Sequence, residues 1–153
     1  MLALELMRTS FATIKPSAPL LDAVRTLLET DQRGLPVLGD SGSLVGVISE
    51  GDFLHRRELG VHWPEGPWLE WLLSKEEGRL LRERTRALRV DAVMSRKPVC
   101  VDVSATVDEI VAEMDSHQIS QVMVLRDARV VGIVGRVQLL QALERILARS
   151  GGG

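Results

Sequence analysis

The chain repeats itself, and the repeat limits its fold more than any other feature. Set Leu6-Met7 beside Val93-Met94: Thr13 then falls on Cys100, Ser17 on Ser104, Asp22 on Glu109 and Pro36 on Met123, all 87 residues apart. One residue drops out of the turn that follows. Beyond it Gly46-Val47-Ile48 falls on Gly132-Ile133-Val134 and Phe53-Leu54 on Leu139-Leu140, 86 residues apart. An internal repeat means that one supersecondary unit is used twice, with its apolar faces buried by the other copy as well as by itself.

Each copy reads in the same order. A short strand comes first, Ala12-Thr13-Ile14 or Val99-Cys100-Val101. A helix follows, with Leu20, Leu21, Val24, Leu27 and Leu28 at helical spacing in one copy and Val107, Ile110, Val111 and Met114 in the other. Ser17 and Ser104 lie just upstream as candidate caps, and Asp22 and Asp108 compete as first-turn acids. Two β-rich runs come next. In the first copy they are Leu35 to Leu38 and Leu44 to Ser49, joined by Gly39-Asp40-Ser41-Gly42. In the second they are Gln121 to Leu125 and Val130 to Val134, with Arg126-Asp127-Ala128-Arg129 as the turn. A closing helix starts near Gly51 and near Val137. The fold class expected is α/β (α+β): two β-α-β-β-α units packed sheet against sheet about a pseudo-twofold axis.

Composition bounds the rest. With 153 residues, 45% of them apolar, the chain has material for one real core. No apolar run approaches the ~20 residues of a membrane-spanning helix. The formal net charge of −2 gives no polyanion-binding signature. A single cysteine, Cys100, excludes an internal disulfide and a multi-cysteine zinc site. With no leader pattern at the start, a cytoplasmic location is expected.

The ordered pair of units resembles a tandem pair of CBS (cystathionine β-synthase) domains, the Bateman module. The residues that carry the resemblance are Leu6-Met7, Gly34-Leu35-Pro36-Val37 and Leu44 through Asp52. In the second copy they are Asp91-Ala92-Val93-Met94 and Val130-Val131-Gly132-Ile133-Val134. The resemblance covers the chain apart from residues 57–88. It divides it into a first repeat (1–56), an inserted arm (57–88), a second repeat (89–149) and a tail (150–153). It implies a regulatory module that senses an adenosine nucleotide such as AMP, ADP or ATP and passes the signal to a partner or within a homodimer. The alternative is a structural dimerisation module with a vestigial cleft.

The Gly-x-x-Ser-x-x-Asp stretch from Gly46 to Asp52 carries the candidate chemistry. With Val47 and Ile48 it delivers Ser49 to the mouth of a helix, where free amides favour a phosphate. The glycines at 46 and 51 allow close approach to the backbone. The Ser49 hydroxyl can donate to a phosphate oxygen, and the Asp52 carboxylate can accept from both hydroxyls of a ribose. The same stretch reads equally well as a helix capping box; the repeat context favours the ligand. The resemblance adds Val99, Cys100 and Val101 beside the adenine bound at Asp52. It also adds Arg33, Gly34, Leu35 and Pro36 at the neighbouring strand, with Arg33 as a phosphate partner or a solvated turn residue. Cys100 is expected to pack as a small apolar residue.

In the second copy Gly135 replaces the serine and Gln138 the aspartate. A degenerate second site is expected, bordered by Thr13, Ile14 and Lys15 with Arg136 nearby, and one bound nucleotide per chain. The arm holds all three tryptophans, Trp63, Trp68 and Trp71, and a capping box from Ser74. Tryptophans are enriched at interfaces, so the arm is a candidate protein-contact surface. Its six Lys/Arg against three Glu over residues 74–89 are too modest an excess to argue for nucleic acid. His55, His62 and His117 form no metal-ligand spacing, and no nucleophile elbow or phosphate-binding glycine loop of an NTPase occurs. No catalytic residue, metal or obligatory cofactor is expected, and the chain reads as a non-enzyme.

Overall fold

A computed structural model describes residues 1–54 and 88–152. In chain order the elements are α1 (Ala3–Leu6), α2 (Leu20–Thr30), β1 (Gly34–Leu38), β2 (Leu44–Ser49) and α3 (Glu50–Leu54). After the arm come α4 (Val90–Val93), β3 (Cys100–Asp102), α5 (Val107–His117), β4 (Gln121–Arg126), β5 (Arg129–Gly135) and α6 (Arg136–Ser150). The architecture is mixed α+β with two sheets. Trp63, Trp68, Trp71, the box at Ser74, His55 and His62 lie outside the described residues.

The two sheets are built alike. β1 and β2 pair antiparallel, Gly34 opposite Ser49 and Val37 opposite Gly46. β4 and β5 do the same, Gln121 opposite Gly135 and Val124 opposite Gly132. β3 adds to β4 in parallel, Cys100 opposite Met123. The matching first strand of the other copy shrinks to one bridge, Ile14 to Val37. The cause is a proline. Val103 continues the second ladder by donating its N–H to the Leu125 carbonyl at 3.1 Å. Its counterpart 87 residues earlier is Pro16, which has no N–H to donate.

The turns and caps follow local chemistry. Asp127 and Ala128 both adopt positive φ, 50° and 66°, in the two-residue hairpin geometry that matches sheet twist. Thr106, not Ser104, caps α5: the Glu109 N–H donates to Thr106 Oγ1 at 3.2 Å, and the Thr106 N–H donates back to Glu109 at 3.4 Å. Ser104 instead turns its hydroxyl onto Asp102 Oδ2 at 2.6 Å. Asp22 and Asp108 do sit in first turns. Helices α2 and α5 both end on a left-handed residue, Asp31 and Gln118, with φ of 54° and 53°.

Two apolar cores lie on the two sheets, and each takes a helix from the far side of the repeat boundary. Ala3 and Leu6 of α1 are buried with Val101, Ile110, Val122, Val124 and Val134 of the second copy. Val90, Val93 and Met94 are buried with Leu27, Leu35, Val37 and Ile48 of the first. Backbone pairs fix the exchange: Arg8 with Ile133, and Ser95 with Val47. Two glycines make room for it. A Cβ on Gly46 would lie 2.6 Å from the Ser95 carbonyl oxygen, and one on Gly132 would lie 2.5 Å from Met7 Sδ. Burial of apolar surface stabilises by about 25 cal/mol per Å², so each exchanged helix ties one repeat to the other.

Candidate functional site

A cleft of about 870 Å³ opens between the two repeats. One wall is the end of β2 and the start of α3, with Val47, Ser49, Glu50 and Gly51; Arg33 and Gly34 extend it. The facing wall is the stretch leading into β3, with Ser95, Lys97 and Val99. The end of α5 and the start of β4 contribute His117, Gln118, Ser120 and Gln121, and α6 contributes Arg136 and Leu139. The ends of two strands and the starts of two helices thus meet at one opening.

Asp52 is held in place by Ser49. The Ser49 N–H donates to Asp52 Oδ2 at 2.8 Å, and the Ser49 hydroxyl donates to the same oxygen at 3.3 Å. The capping contact is therefore real. It also orients the carboxylate. At the pseudo-equivalent place the Gly135 N–H donates to Gln138 Oε1 at 2.8 Å.

Gln121 stitches the repeats together at the cleft. Its amide nitrogen donates to the Gly34 carbonyl at 2.9 Å, and its amide oxygen accepts from the Arg33 N–H at 3.1 Å. Gly34 is the residue equivalent to Gln121 in the other copy. Gln32, buried, supports the same strand: it accepts from the Ala12 N–H at 2.7 Å and donates to the carbonyls of Ala12 and Gly34. The Arg33 guanidinium pairs with Glu50 at 3.1 Å, an exposed pair of small energetic weight.

The structure separates the expected site residues. Val47, Ser49, Arg33, Gly34 and Val99 line the cleft. Leu35, Pro36, Ile48 and Val101 are buried instead and serve the cores. The space in front of Gly46 is taken by Met94 and Ser95, so the close approach there is made by protein rather than left for a ligand. Asp52 is not among the cleft walls and meets them through Ser49. Cys100 is half-buried, its thiol donates to the Pro98 carbonyl at 3.7 Å, and burial pushes its pKa up, so it is a poor nucleophile.

The residues expected around a second site open onto two different hollows. Thr13, Ile14 and Lys15 line a separate hollow of about 590 Å³ with Asp22 and Asp40. Arg136 opens onto the large cleft instead. Sequence reasoning missed Ser95, Lys97, His117, Ser120 and Gln121. A usable signal existed: adding the repeat offset to Arg33-Gly34 gives Ser120-Gln121.

Among the described residues no group of three or more His, Cys, Asp or Glu is placed to hold a metal ion, and no helix is long and apolar enough to cross a membrane.

The CBS domain family model matches twice, at residues 3–58 and 90–145. An uncharacterized protein of Methanocaldococcus jannaschii is 30% identical over 136 residues, covering 81% of this chain and 80% of its own length. Two solved structures share the fold. CBSX2 in complex with AMP has a TM-score of 0.70 at 24% identity, covering 95% of this chain and 97% of its own. The CBS domain pair of protein MJ0100, in complex with 5′-methylthioadenosine and S-adenosyl-L-methionine, has a TM-score of 0.68 at 20% identity, covering 95% and 98%.

Proposed function

The chain belongs to the CBS domain family, and we propose that its inter-repeat cleft is a regulatory site for one adenosine nucleotide, with no turnover. The observation that carries this reading is the 870 Å³ cleft with Ser49, braced against Asp52, on its wall. Asp52, next to the cleft wall through Ser49, is the acceptor for the ribose hydroxyls that the motif implies, and the phosphate side faces the opening of α3. Val99 and its neighbours on the facing wall give the apolar surface for the base. The AMP complex of CBSX2 supports the ligand class.

A ligand that spans both walls makes contacts to two repeats at once. It biases their packing through its different affinity for the two arrangements. The readout is a second copy of the chain: α6 exposes Val137, Leu140, Leu143, Ile146 and Leu147, an apolar face suited to a homodimer. The same reading places the protein in the cytoplasm. Thermal unfolding against AMP, ADP, ATP, NAD and S-adenosylmethionine tests it. A stabilising shift with at least one ligand, lost in Asp52→Ala, is the expected result. No shift with any of them at millimolar concentration overturns the nucleotide reading and leaves the dimerisation module.

A further inference from the structure

The Gln121 carboxamide fills a place that a ligand group of the same shape could take. Its Nε2 donates to the Gly34 carbonyl at 2.9 Å, and its Oε1 accepts from the Arg33 N–H at 3.1 Å. Arg33, Gly34 and Gln121 all line the large cleft. The two main-chain groups are thus an acceptor and a donor set side by side, matched to one planar amide. They lie close to Ser49: a Cβ on Gly34 would be 3.6 Å from Ser49 Cβ and 3.5 Å from Gln121 Nε2.

This main-chain edge does not depend on Gln121 for its shape. The Gly34 carbonyl also accepts from the buried Gln32 side chain at 3.1 Å, and the Arg33 carbonyl accepts from the Glu50 N–H at 3.1 Å. Gly34 pairs with Ser49 in the β1–β2 ladder. Gln121 is only half-buried, and its backbone is held opposite Gly135. A rotamer change therefore withdraws the carboxamide and leaves the acceptor and donor where they are. The contact has no reciprocal in the other copy, because the counterpart of Gln121 is Gly34, which has no side chain to return the bonds. The edge that is filled belongs to the copy that keeps Ser49 and Asp52.

We propose that Gln121 is an internal competitor of the ligand: a group that carries an NH2 donor beside an acceptor atom displaces it, and so breaks two bonds that join the repeats. This rests on the adenosine reading above and adds a regulatory device to it. Two sources carry the displacing chemistry, the amino edge of an aminopurine and a primary carboxamide such as that of nicotinamide. Neutral hydrogen bonds have small net worth because water competes for each partner. The carboxamide is therefore seated most of the time and still leaves for a ligand, and the apparent affinity falls by the fraction of molecules in which the edge is open. Binding is coupled to repeat packing at one residue, since both Gln121 bonds cross the repeat boundary and the liganded cleft lacks them.

NMR and calorimetric titration of the full chain test this with two ligand pairs. AMP is compared with purine riboside 5′-monophosphate, which lacks the amino group. Nicotinamide mononucleotide is compared with nicotinic acid mononucleotide, which has a carboxylate in place of the amide. Wild type, Gln121→Ala and Gln121→Met are used; methionine keeps the length of the side chain without an amide donor. In the ligand-free wild type the Arg33 N–H is protected from exchange, and both variants lose that protection. Saturation of the wild type with AMP or nicotinamide mononucleotide moves the Gln121 side-chain NH2 resonances to the solvent-exposed position while the Arg33 N–H stays protected. Both variants bind the displacing ligand about fivefold more tightly than wild type, and its partner without the NH2 group changes by less than about twofold. Gln121 resonances that stay put when AMP binds, weaker binding in both variants, or an equal gain for the ligands without NH2 overturns the proposal while the adenosine site stands. Displacement by nicotinamide mononucleotide with no binding of AMP keeps the internal competitor and overturns the adenosine reading. Failure of all four ligands in wild type and in both variants overturns both.

Discussion

Ser49 and Gly135 occupy equivalent places at the ends of β2 and β5, and each backbone N–H donates to a side-chain oxygen three residues on, at 2.8 Å in both copies. The acceptor is Asp52 in one copy and Gln138 in the other. The fold therefore asks only for an acceptor at that place, and a neutral amide meets the need. The charge of Asp52 and the hydroxyl of Ser49 exceed what the helix start requires. That surplus is the part of the motif assigned to a ligand. A second comparison runs the same way. Glycine stands at 46 and 132 in both copies, where it admits the exchanged segments. The feature common to both copies is structural, and the feature present in one copy is the one proposed to meet a ligand.

Substitutions can break this comparison, and the largest effect falls on the shared glycines. Gly46→Ala would set its Cβ 2.6 Å from the Ser95 carbonyl, whose oxygen accepts from the Val47 N–H at 3.0 Å. A loss of about 3 kcal/mol in urea unfolding is expected, the upper end for overpacking. Gly132→Ala meets Met7 Sδ, Cγ and Cβ but no backbone atom, and only the first two move with the rotamer, so about 2 kcal/mol is expected there. Equal costs would mean that the two exchanges are not held differently.

Ligand linkage separates the copies next. At a hundred times the dissociation constant a nucleotide adds about 2.7 kcal/mol of stability. Asp52→Ala is expected to abolish that gain and Gln138→Ala to keep it, read as the shift in unfolding midpoint with and without ligand. The asymmetric stitch between the copies comes third. Gln121→Ala removes two hydrogen bonds to Arg33 and Gly34 and is expected to cost about 1 kcal/mol, since the Gly34 carbonyl keeps its bond from Gln32.

The β4–β5 turn gives a smaller effect of opposite sign. Ala128 holds φ of 66°, which glycine adopts without a Cβ penalty. Ala128→Gly is expected to stabilise by about 0.5–1 kcal/mol, and the β1–β2 turn, which already has Gly42 at φ 79°, offers no such gain. The smallest effect is electrostatic. The Ser104 hydroxyl and then its N–H hold the exposed Asp102 carboxyl below the usual carboxylate range, and Lys15 stands at the equivalent place in the first copy. A lowered carboxyl pKa stabilises the fold above its unfolded value, and the contribution is lost as pH falls through the lowered value. In an NMR titration Ser104→Ala should move the Asp102 midpoint up towards the ordinary range.

Much of the architecture was legible because it repeats. The offset found both hairpins, both long helices and the glycine turn, since turn residues and helical spacing act locally. It did not show the exchange of α1 and α4 between cores. Leu6 and Val93 are apolar whichever core receives them, and the pairing of Arg8 with Ile133 spans most of the chain. The site was half legible. Ser49, Arg33, Gly34 and Val99 reach the cleft, but Leu35, Pro36 and Ile48 do not. β1 is buried at four successive positions, so no alternation of apolar and polar residues marks which face meets the opening. Lys97 and His117 sit outside any motif and become neighbours of Ser49 only through the packing of the two repeats.

The most direct test of the central claim is the stoichiometry of binding. Wild type, Asp52→Ala and Gln138→Ala are titrated calorimetrically with the adenosine ligand that gives the largest thermal shift. One equivalent per chain, lost in Asp52→Ala and retained in Gln138→Ala, is the predicted result. Two equivalents, or a loss that follows Gln138 rather than Asp52, would contradict it.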